Sequence, residues 1–471
     1  MPLEKKTTTY RGAQLKKDII AYSKGAVEEV TGSKHYIEFN NKIYEIDCGA
    51  FQGGKDPEKR NRESELVRPN SVILTHAHYD HSGLLPRLVK EGYAGKIYST
   101  PATRDLTSVI LMDSAKIQAH EKSEPAYEEK DCLEAMNHFS CFMYGKHKII
   151  DDDLKVTFYN AGHILGSAMA DLQFTKKKFL KKEEVHILYT GDIGRESNPL
   201  VNPPATDMPA PKYIFLESTY GNKTHESMDK VYNELQYIIN RTIERGGKVL
   251  IPSFAVERAQ EIIYFIKNLM ADGKIPKIPV YVDSPMAVNA TGVFSIHSEC
   301  FNDKIKNDFM AKGKNPFSVR SLKTISNYKD SLSLAKSKKP AIVISAQGMC
   351  EAGRIINHIK HGIENPDNTI LLVGYMCEGT LGRKILDKEE TVEIDGENFK
   401  LKAEVHKIDA FSAHADYKEI IDWLSKVDTS KLKKIFLVHG EKDAQANLSK
   451  VLNEHGYANE IVKEDTKYKL A

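Results

Sequence analysis

Residues 75–83 read THAHYDHSG, which places His76, His78, Asp80 and His81 within six positions. The apolar run SVIL (71–74) precedes them and reads as a buried strand, so the histidines fall on the loop at its end. Imidazole nitrogen and carboxylate oxygen are ligands that Zn²⁺ accepts. Residues two apart on an irregular loop need not point in opposite directions. One loop can therefore feed two ions, His76 and His78 to one, Asp80 and His81 to the other. A chance run of surface polar residues is the plain alternative. With 17 histidines in 471 residues, such a pattern is expected by chance in about one chain in a thousand.

Four residues do not complete two zinc shells. His163 in NAGHILGSA (160–168), Asp192 in TGDIGR (190–195) and His439 in FLVHGE (436–441) each follow an apolar run, as His76 does. Singly, each reads more readily as a satisfied buried polar residue. Their shared strand-then-loop placement makes them candidate ligands. A carboxylate has two oxygens, so Asp192 is the candidate bridge between two ions.

The rest of the chain bounds what surrounds this loop. Its 471 residues are 41% apolar, enough for two or three domains with their own cores. The start, MPLEKKTTTYRGAQLKKD, has no apolar segment of a secretion signal, and no run of 18 apolar residues occurs. The six cysteines form no C-x-x-C pair, which suits reduced thiols and a cytoplasmic protein. There is no repeat of 20–50 residues and no low-complexity tract. Net charge is only +2, yet Glu217–Lys384 carries 23 Lys and Arg against 17 Asp and Glu, while the remainder carries 44 against 48. A basic middle fits a polyanionic substrate, although for the charge taken alone a solvated lysine-rich surface is the simpler reading.

LKVTFY (154–159), VHILY (185–189) and YIFL (213–216) also read as buried strands. In SGLLPRLVKEG, Ser82 is the expected N-cap of a helix and Gly92 its stop. NPPATDMPAP (202–211) reads as a crossing segment. Beyond residue 217, KVLI, IPVYV, AIVIS and TILLV alternate with helical patterns, including one around 256–271 with Ile262, Ile263, Ile266, Leu269 and Met270 on one face. That rhythm predicts a mainly parallel α/β unit. EVHKID, a helix around 417–427 and KKIFLVHGE close the chain.

THAHYDHSG, AGHILGSA and YTGDIGR resemble the successive motifs of the metallo-β-lactamase superfamily. LESTYG (216–221), FSAHAD (411–416) and VHGE resemble the three additional motifs of its β-CASP branch, and GAVEEVTGSKHYIEF and DCGAFQGG resemble that branch's N-terminal strands. The resemblance covers nearly the whole chain. It implies an α/β fold: an αββα metallo-β-lactamase domain with an inserted, mainly parallel α/β β-CASP domain. The implied division is 1–216 and 386–471 for the first and 217–385 for the insert. The 247 residues between Asp192 and His439 leave room for a whole domain between two ligands of one site. It implies hydrolysis of phosphodiester bonds in single-stranded RNA, endonucleolytic, 5′–3′ exonucleolytic or both. Two Zn²⁺ per chain, roughly 3.5–4 Å apart, would hold a bridging hydroxide. The implied products carry a 5′-phosphate and a 3′-hydroxyl. The 25-residue gap from His414 to His439 is slightly longer than the family pattern. The chain also lacks the KH domains of some archaeal relatives and the long C-terminal region of RNase J, which leaves a homodimer open.

Within this frame His76, His78, Asp80, His81, His163, Asp192 and His439 are the expected ligands, with Asp80 and Asp192 also catalytic. His414 is the expected general acid for the departing ribose oxygen, with Glu217 placed to hydrogen-bond it. A helix cap near Asp416 or a further metal ligand is the alternative for His414. Three strand–loop–helix stretches supply candidate phosphate contacts: Ser253 and Arg258 in IPSFAVERAQE, Arg354 in SAQGMCEAGR, Thr380 and Arg383 in GTLGRKIL. Helix capping and solvated arginines are the alternative there. No aromatic platform for bases stands out. Three rival functions remain. A hydrolase of small esters, thioesters or β-lactams does not need the insert or FSAHAD. DNA-acting members of the branch usually carry a small apolar residue where His439 stands. A non-catalytic scaffold subunit would have lost ligands.

Overall fold

The structure is a computed structural model that describes residues 18–53, 56–120, 123–178, 181–318, 321–374, 376, 379–408 and 411–471. Two seven-stranded sheets face each other. The first runs in the order 468–469, 20–23, 35–39, 42–46, 71–73, 96–99, 139–141, and the second 459–461, 434–438, 213–217, 181–189, 168–178, 154–160, 147–149. Ile37, Tyr44 and Ile73 from one sheet and Phe158, Phe174, Ile187 and Phe215 from the other fill the space between them. Helices Leu85–Lys90, Pro101–Ala119 and Glu129–Asn137 cover the outer face of the first sheet through Leu88, Leu111 and Cys132. Tyr417–Lys426 and Lys442–Glu454 cover the second through Ile420, Trp423, Leu448 and Leu452. The result is four layers, αββα.

The third sheet is the insert's. Its six strands pair in parallel throughout, in the order 322–324, 280–282, 341–345, 248–252, 369–372, 404–407. KVLIP, AIVIS and TILL are buried at every position, as parallel strands covered by helices on both faces must be. Met228–Glu244, Arg258–Ala271 and Pro285–Ile296 pack on one side, Ile355–Gly362 and Leu381–Leu386 on the other. Glu404–Lys407, in the EVHKID stretch beyond residue 385, is the edge strand of this sheet. Leu106 and Ile110 of Pro101–Ala119 share a core with Phe294 of Pro285–Ile296, which joins the insert to the αββα body. Among the described residues no helix is long and apolar enough to cross a membrane, and Cys48, Cys132, Cys141, Cys300 and Cys350 are free thiols.

One local expectation is corrected. Ser82 does not cap the helix at Leu85, whose N-cap is Leu84. Ser82 closes the preceding turn, Tyr79–Ser82, and its hydroxyl donates to the Ala77 carbonyl at 2.9 Å. The loop folds back on itself here because it must present its donors inward.

Candidate metal centre

The strand Ser71–Ile73 ends beneath the loop, and Asp47 takes over. Asp47 Oδ1 accepts from the Thr75 amide at 2.7 Å and Oδ2 from the Thr75 hydroxyl at 2.8 Å. The chain then makes one helical turn, with the amides of His81 and Ser82 both returning to the His78 carbonyl at 2.9 Å. That turn separates the donors: His76 and His78 lie before it, Asp80 and His81 within it. Asp192 arrives after the strand Lys181–Tyr189, His163 after Leu154–Asn160 and His439 after Lys434–Val438. Gly194 lets two of these loops touch, since a Cβ there would stand 1.7 Å from the Gly162 carbonyl oxygen.

The structure brings the seven expected ligands together in two groups. In the first, His78 Nδ1 lies 3.2 Å from both His76 Nε2 and His163 Nε2, and Asp192 Oδ2 lies 3.4 and 3.5 Å from those two nitrogens. In the second, His439 Nε2 is 3.2 Å from His81 Nε2 and 3.4 Å from Asp80 Oδ2. Asp192 faces both: its other oxygen, Oδ1, is 3.3 Å from His81 Nε2. The corners of a tetrahedron around a zinc ion with ligands at about 2.0–2.1 Å are about 3.3 Å apart. The donor separations match that edge. Asp192 Oδ1 is buried and accepts no hydrogen bond, which a buried carboxylate oxygen does not tolerate without a cation. The residues therefore fit a pair of metal ions.

In the first group the electrostatics point the same way, whereas at His81 burial is outweighed by the carboxylates of Asp192, Asp47 and Asp80, which favour the charged ring. Burial, with His81 nearby, holds His76 well below its ordinary range, burial and His414 do so for His163, and burial takes His78 down to about 4. These three are neutral imidazoles with open lone pairs. Burial opposes charge on Asp192, but His439, His81 and His76 outweigh it and hold the carboxyl well below its usual range.

Supporting residues were not legible as such. His81 Nδ1 pairs with Asp47 Oδ2 at 2.7 Å, which leaves Nε2 turned to the second group. His439 Nδ1 has Thr219 Oγ1 at 3.0 Å and His76 Nδ1 has Thr75 Oγ1 at 3.1 Å. DCGAFQGG contained Asp47, but nothing local distinguished it from a turn residue. Because Asp47 orients His81, a candidate ligand, Asp47→Ala is expected to weaken metal retention and turnover by roughly 10- to 100-fold. Chelator competition checks this, and unchanged retention would make Asp47 a loop anchor only.

His414 lies beside the first group, its ring 4.5 Å from that of His163. Its Nδ1 is 2.9 Å from Glu217 Oε1. The amides of Ile193 and Thr219 donate to the two oxygens of Glu217 at 2.8 and 3.2 Å. Burial lowers the His414 pKa, and the carboxylates of Glu217 and Asp192 more than reverse this, taking it up to about 9. The cap of Tyr417–Lys426 is Asp416, whose Oδ1 accepts from the Lys418 and Glu419 amides, so His414 is free of that duty.

The expected phosphate contacts are placed differently. Arg258 is buried, its Nε donating to Glu261 at 2.9 Å and Nη1 to the Val373 carbonyl at 2.7 Å. Arg354 donates to Asp283 at 2.8 Å and to the carbonyls of Ile325 and Ser326. Both guanidiniums hold the insert together rather than face a ligand. Ser253 is buried, and the helix it was expected to open begins only at Arg258. Thr380 caps Leu381–Leu386 by accepting from the Arg383 amide, while Arg383 pairs with Asp387 at 2.7 Å near the surface. Arg258→Ala, which strands a buried Glu261, is accordingly expected to destabilise the fold by about 3 kcal/mol. Denaturant titration measures it. The salt dependence of RNA binding should keep its slope, and a slope reduced by about one unit would return Arg258 to the phosphate track.

Comparison with known proteins agrees with this architecture. Residues 36–205 match the model of a metallo-beta-lactamase superfamily domain, 259–385 that of the Beta-Casp domain, and 398–462 that of the Zn-dependent metallo-hydrolase RNA specificity domain. A ribonuclease of Thermus thermophilus is 36% identical over 92% of this chain and 95% of its own length. The transcription termination factor FttA of Methanosarcina mazei is 31% identical over 90% of this chain, and that of Methanocaldococcus jannaschii 32% over 89%. The matches span about two thirds of those archaeal proteins, 67% and 66%. A crystal structure of a protein of unknown function from Enterococcus faecalis shares the fold, with a TM-score of 0.54 at 11% identity over 96% of this chain and 100% of that one. With its αββα body, its inserted parallel sheet and a relative aligned over nearly its full length, this chain belongs to the β-CASP branch of the metallo-β-lactamase superfamily.

Proposed function

We propose that this chain is a zinc-dependent ribonuclease that hydrolyses phosphodiester bonds of single-stranded RNA, from within the strand, from its 5′ end, or both. The observation that carries the reading is the pair of donor groups sharing Asp192, matched in spacing to two tetrahedral shells. The named activity of the Thermus relative and the RNA specificity domain matched at 398–462 support RNA as the polymer.

His76, His78 and His163 with Asp192 would hold one ion, and Asp80, His81 and His439 with Asp192 the other. When bound, two Zn²⁺ supply a water-derived nucleophile near neutral pH and neutralise charge on the scissile phosphate. The chain's own residues do the rest. Asp192 divides its oxygens between the groups and so fixes their separation. Asp47 keeps the His81 lone pair directed inward. Glu217, locked by two amides, accepts from His414 Nδ1–H and favours the imidazolium, whose Nε2 proton is then available to the departing ribose oxygen. Products with a 5′-phosphate and a 3′-hydroxyl follow.

The division into 1–216, 217–385 and 386–471, with the strand Glu404–Lys407 moved to the insert whose sheet it completes, and a cytoplasmic setting belong to the same reading. Light scattering on the purified chain decides between monomer and homodimer. The central test combines metal analysis with cleavage of end-labelled RNA and DNA oligonucleotides of one sequence, bearing 5′-phosphate, 5′-triphosphate or 5′-hydroxyl ends. About two zinc ions per chain and RNA cleavage are expected. Cleavage confined to DNA, or to thioester substrates, would overturn the assignment.

A further inference from the structure

The insert's helix Arg258–Ala271 has an unusual entrance. Glu257 precedes it at φ 65° and ψ −60°, and the Arg258 amide returns to the Val256 carbonyl at 2.9 Å. That is a γ-turn of the rare hand, strained for any residue with a Cβ. Glu257 does not cap its own helix. Its side chain is 2% exposed and reaches across to the αββα body, where Oε2 accepts from the Leu165 amide at 3.1 Å. Leu165 is two residues beyond His163.

Other contacts hold the same loop: Ile164 and Leu165 pack into the core shared with the insert, and the Cys300 thiol of the insert meets the Gly166 backbone. The amides of His163 and Ile164 donate to Ser167 Oγ at 3.1 and 3.2 Å, and the Gly166 carbonyl accepts from the hydroxyls of Thr100 and Thr103, each at 2.8 Å. Glu257 supplies the insert's carboxylate acceptor to this loop, at the Leu165 amide. The next residue reaches the other histidine loop: the Arg258 guanidinium lies 5.2 Å from the ring centre of Phe411, three residues before His414. Two consecutive residues of the insert thus contact the loops of His163 and His414. A strained backbone persists where the surroundings over-determine it, and strain of this kind concentrates at functional sites.

We propose that Glu257 is a positioning residue, whose carboxyl pins the Leu165 amide and so sets His163 against His76 and His78. Metal affinity of that first donor group then depends on the inserted domain. The inference rests on the two-metal reading for its consequence, but the strut itself can be tested without metal.

Three variants separate this role from packing. Glu257→Gln keeps an acceptor for Leu165, Glu257→Ala removes it, and Glu257→Gly removes it while relieving the strained turn. Amide exchange at Leu165 is followed in the metal-free protein, metal affinity by chelator competition, and stability by thermal unfolding. Glu257→Gln should match wild type in all three. Glu257→Gly should unfold no earlier than wild type, yet exchange at Leu165 about tenfold faster or more. It should bind one of its two metals about tenfold more weakly and the other unchanged. Glu257→Ala should share the exchange and affinity losses. Wild-type protection of Leu165 in Glu257→Gly overturns the strut. Faster exchange with both affinities unchanged overturns the positioning role. Equal losses in Glu257→Gln and Glu257→Gly mean that bulk packing, not the acceptor, is at work. If wild type binds no metal, the two-metal reading fails, while the exchange data still judge the strut.

Discussion

Asp192→Ala is expected to leave a folded protein that holds neither metal properly and has lost at least about a thousandfold of its activity, roughly 4 kcal/mol in the barrier. Asp192 turns one carboxylate oxygen to each donor group. Oδ2 stands 3.4 Å from His76 Nε2 and Oδ1 3.3 Å from His81 Nε2, so one truncation takes an oxygen from each shell. The fold is expected to survive because Asp192 Oδ1 accepts no hydrogen bond that the truncation would break. His76→Ala, by contrast, should unload the first group while the second keeps most of its affinity. Metal analysis beside circular dichroism of both variants distinguishes the cases. Two full equivalents of metal in Asp192→Ala would remove it from the bridging role.

His414→Ala is expected to keep both metals and RNA affinity while losing roughly a hundred- to ten-thousandfold in turnover. The ribose oxygen leaves poorly as an alkoxide, and His414 has the placement of its proton donor. The ring is held through Nδ1 by Glu217 at 2.9 Å, and that carboxylate is itself fixed by the Ile193 and Thr219 amides. His414 Nδ1 is also 3.9 Å from Asp192, so loss of a ligand is the competing explanation and metal content must be measured in the same variant. The deciding substrate has sulfur at the 3′-bridging position, because a thiolate departs without a proton. Cleavage of that substrate by His414→Ala should approach the wild-type rate. Failure of the sulfur to restore cleavage would show that His414 is not the acid.

Much of the centre was legible because its signals are local. THAHYDHSG packs four donors into one turn and its approach. AGHILGSA, YTGDIGR and VHGE each put a donor directly after an apolar strand; the strand before VHGE pairs in parallel on both sides and is a continuous apolar run, while the one before AGHILGSA is antiparallel and alternates in burial. The residues that hold those donors in place left no such trace. Asp47 meets His81 across 34 positions and Thr219 meets His439 across 220, and neither pair has a period or spacing to betray it. Arg258 and Arg354 sat in stretches with the form of phosphate loops. A helix start that binds phosphate and one that buries an arginine against a carbonyl look alike in sequence; the fold spends both side chains internally.

By itself, then, the sequence carried the apolar strands, the parallel rhythm of the insert and the chemical type of the candidate donors, which are written within a few neighbouring residues, while the αββα layering followed from the family resemblance of its motifs. Only the tertiary structure decided which oxygen of Asp192 faces which group, where the two arginines are committed, and that Glu404–Lys407 completes the inserted sheet. It also decided that Glu257 reaches the His163 loop. Those outcomes depend on surfaces meeting across tens to hundreds of residues. At such separations the chain carries no local pattern, and packing alone selects the partner.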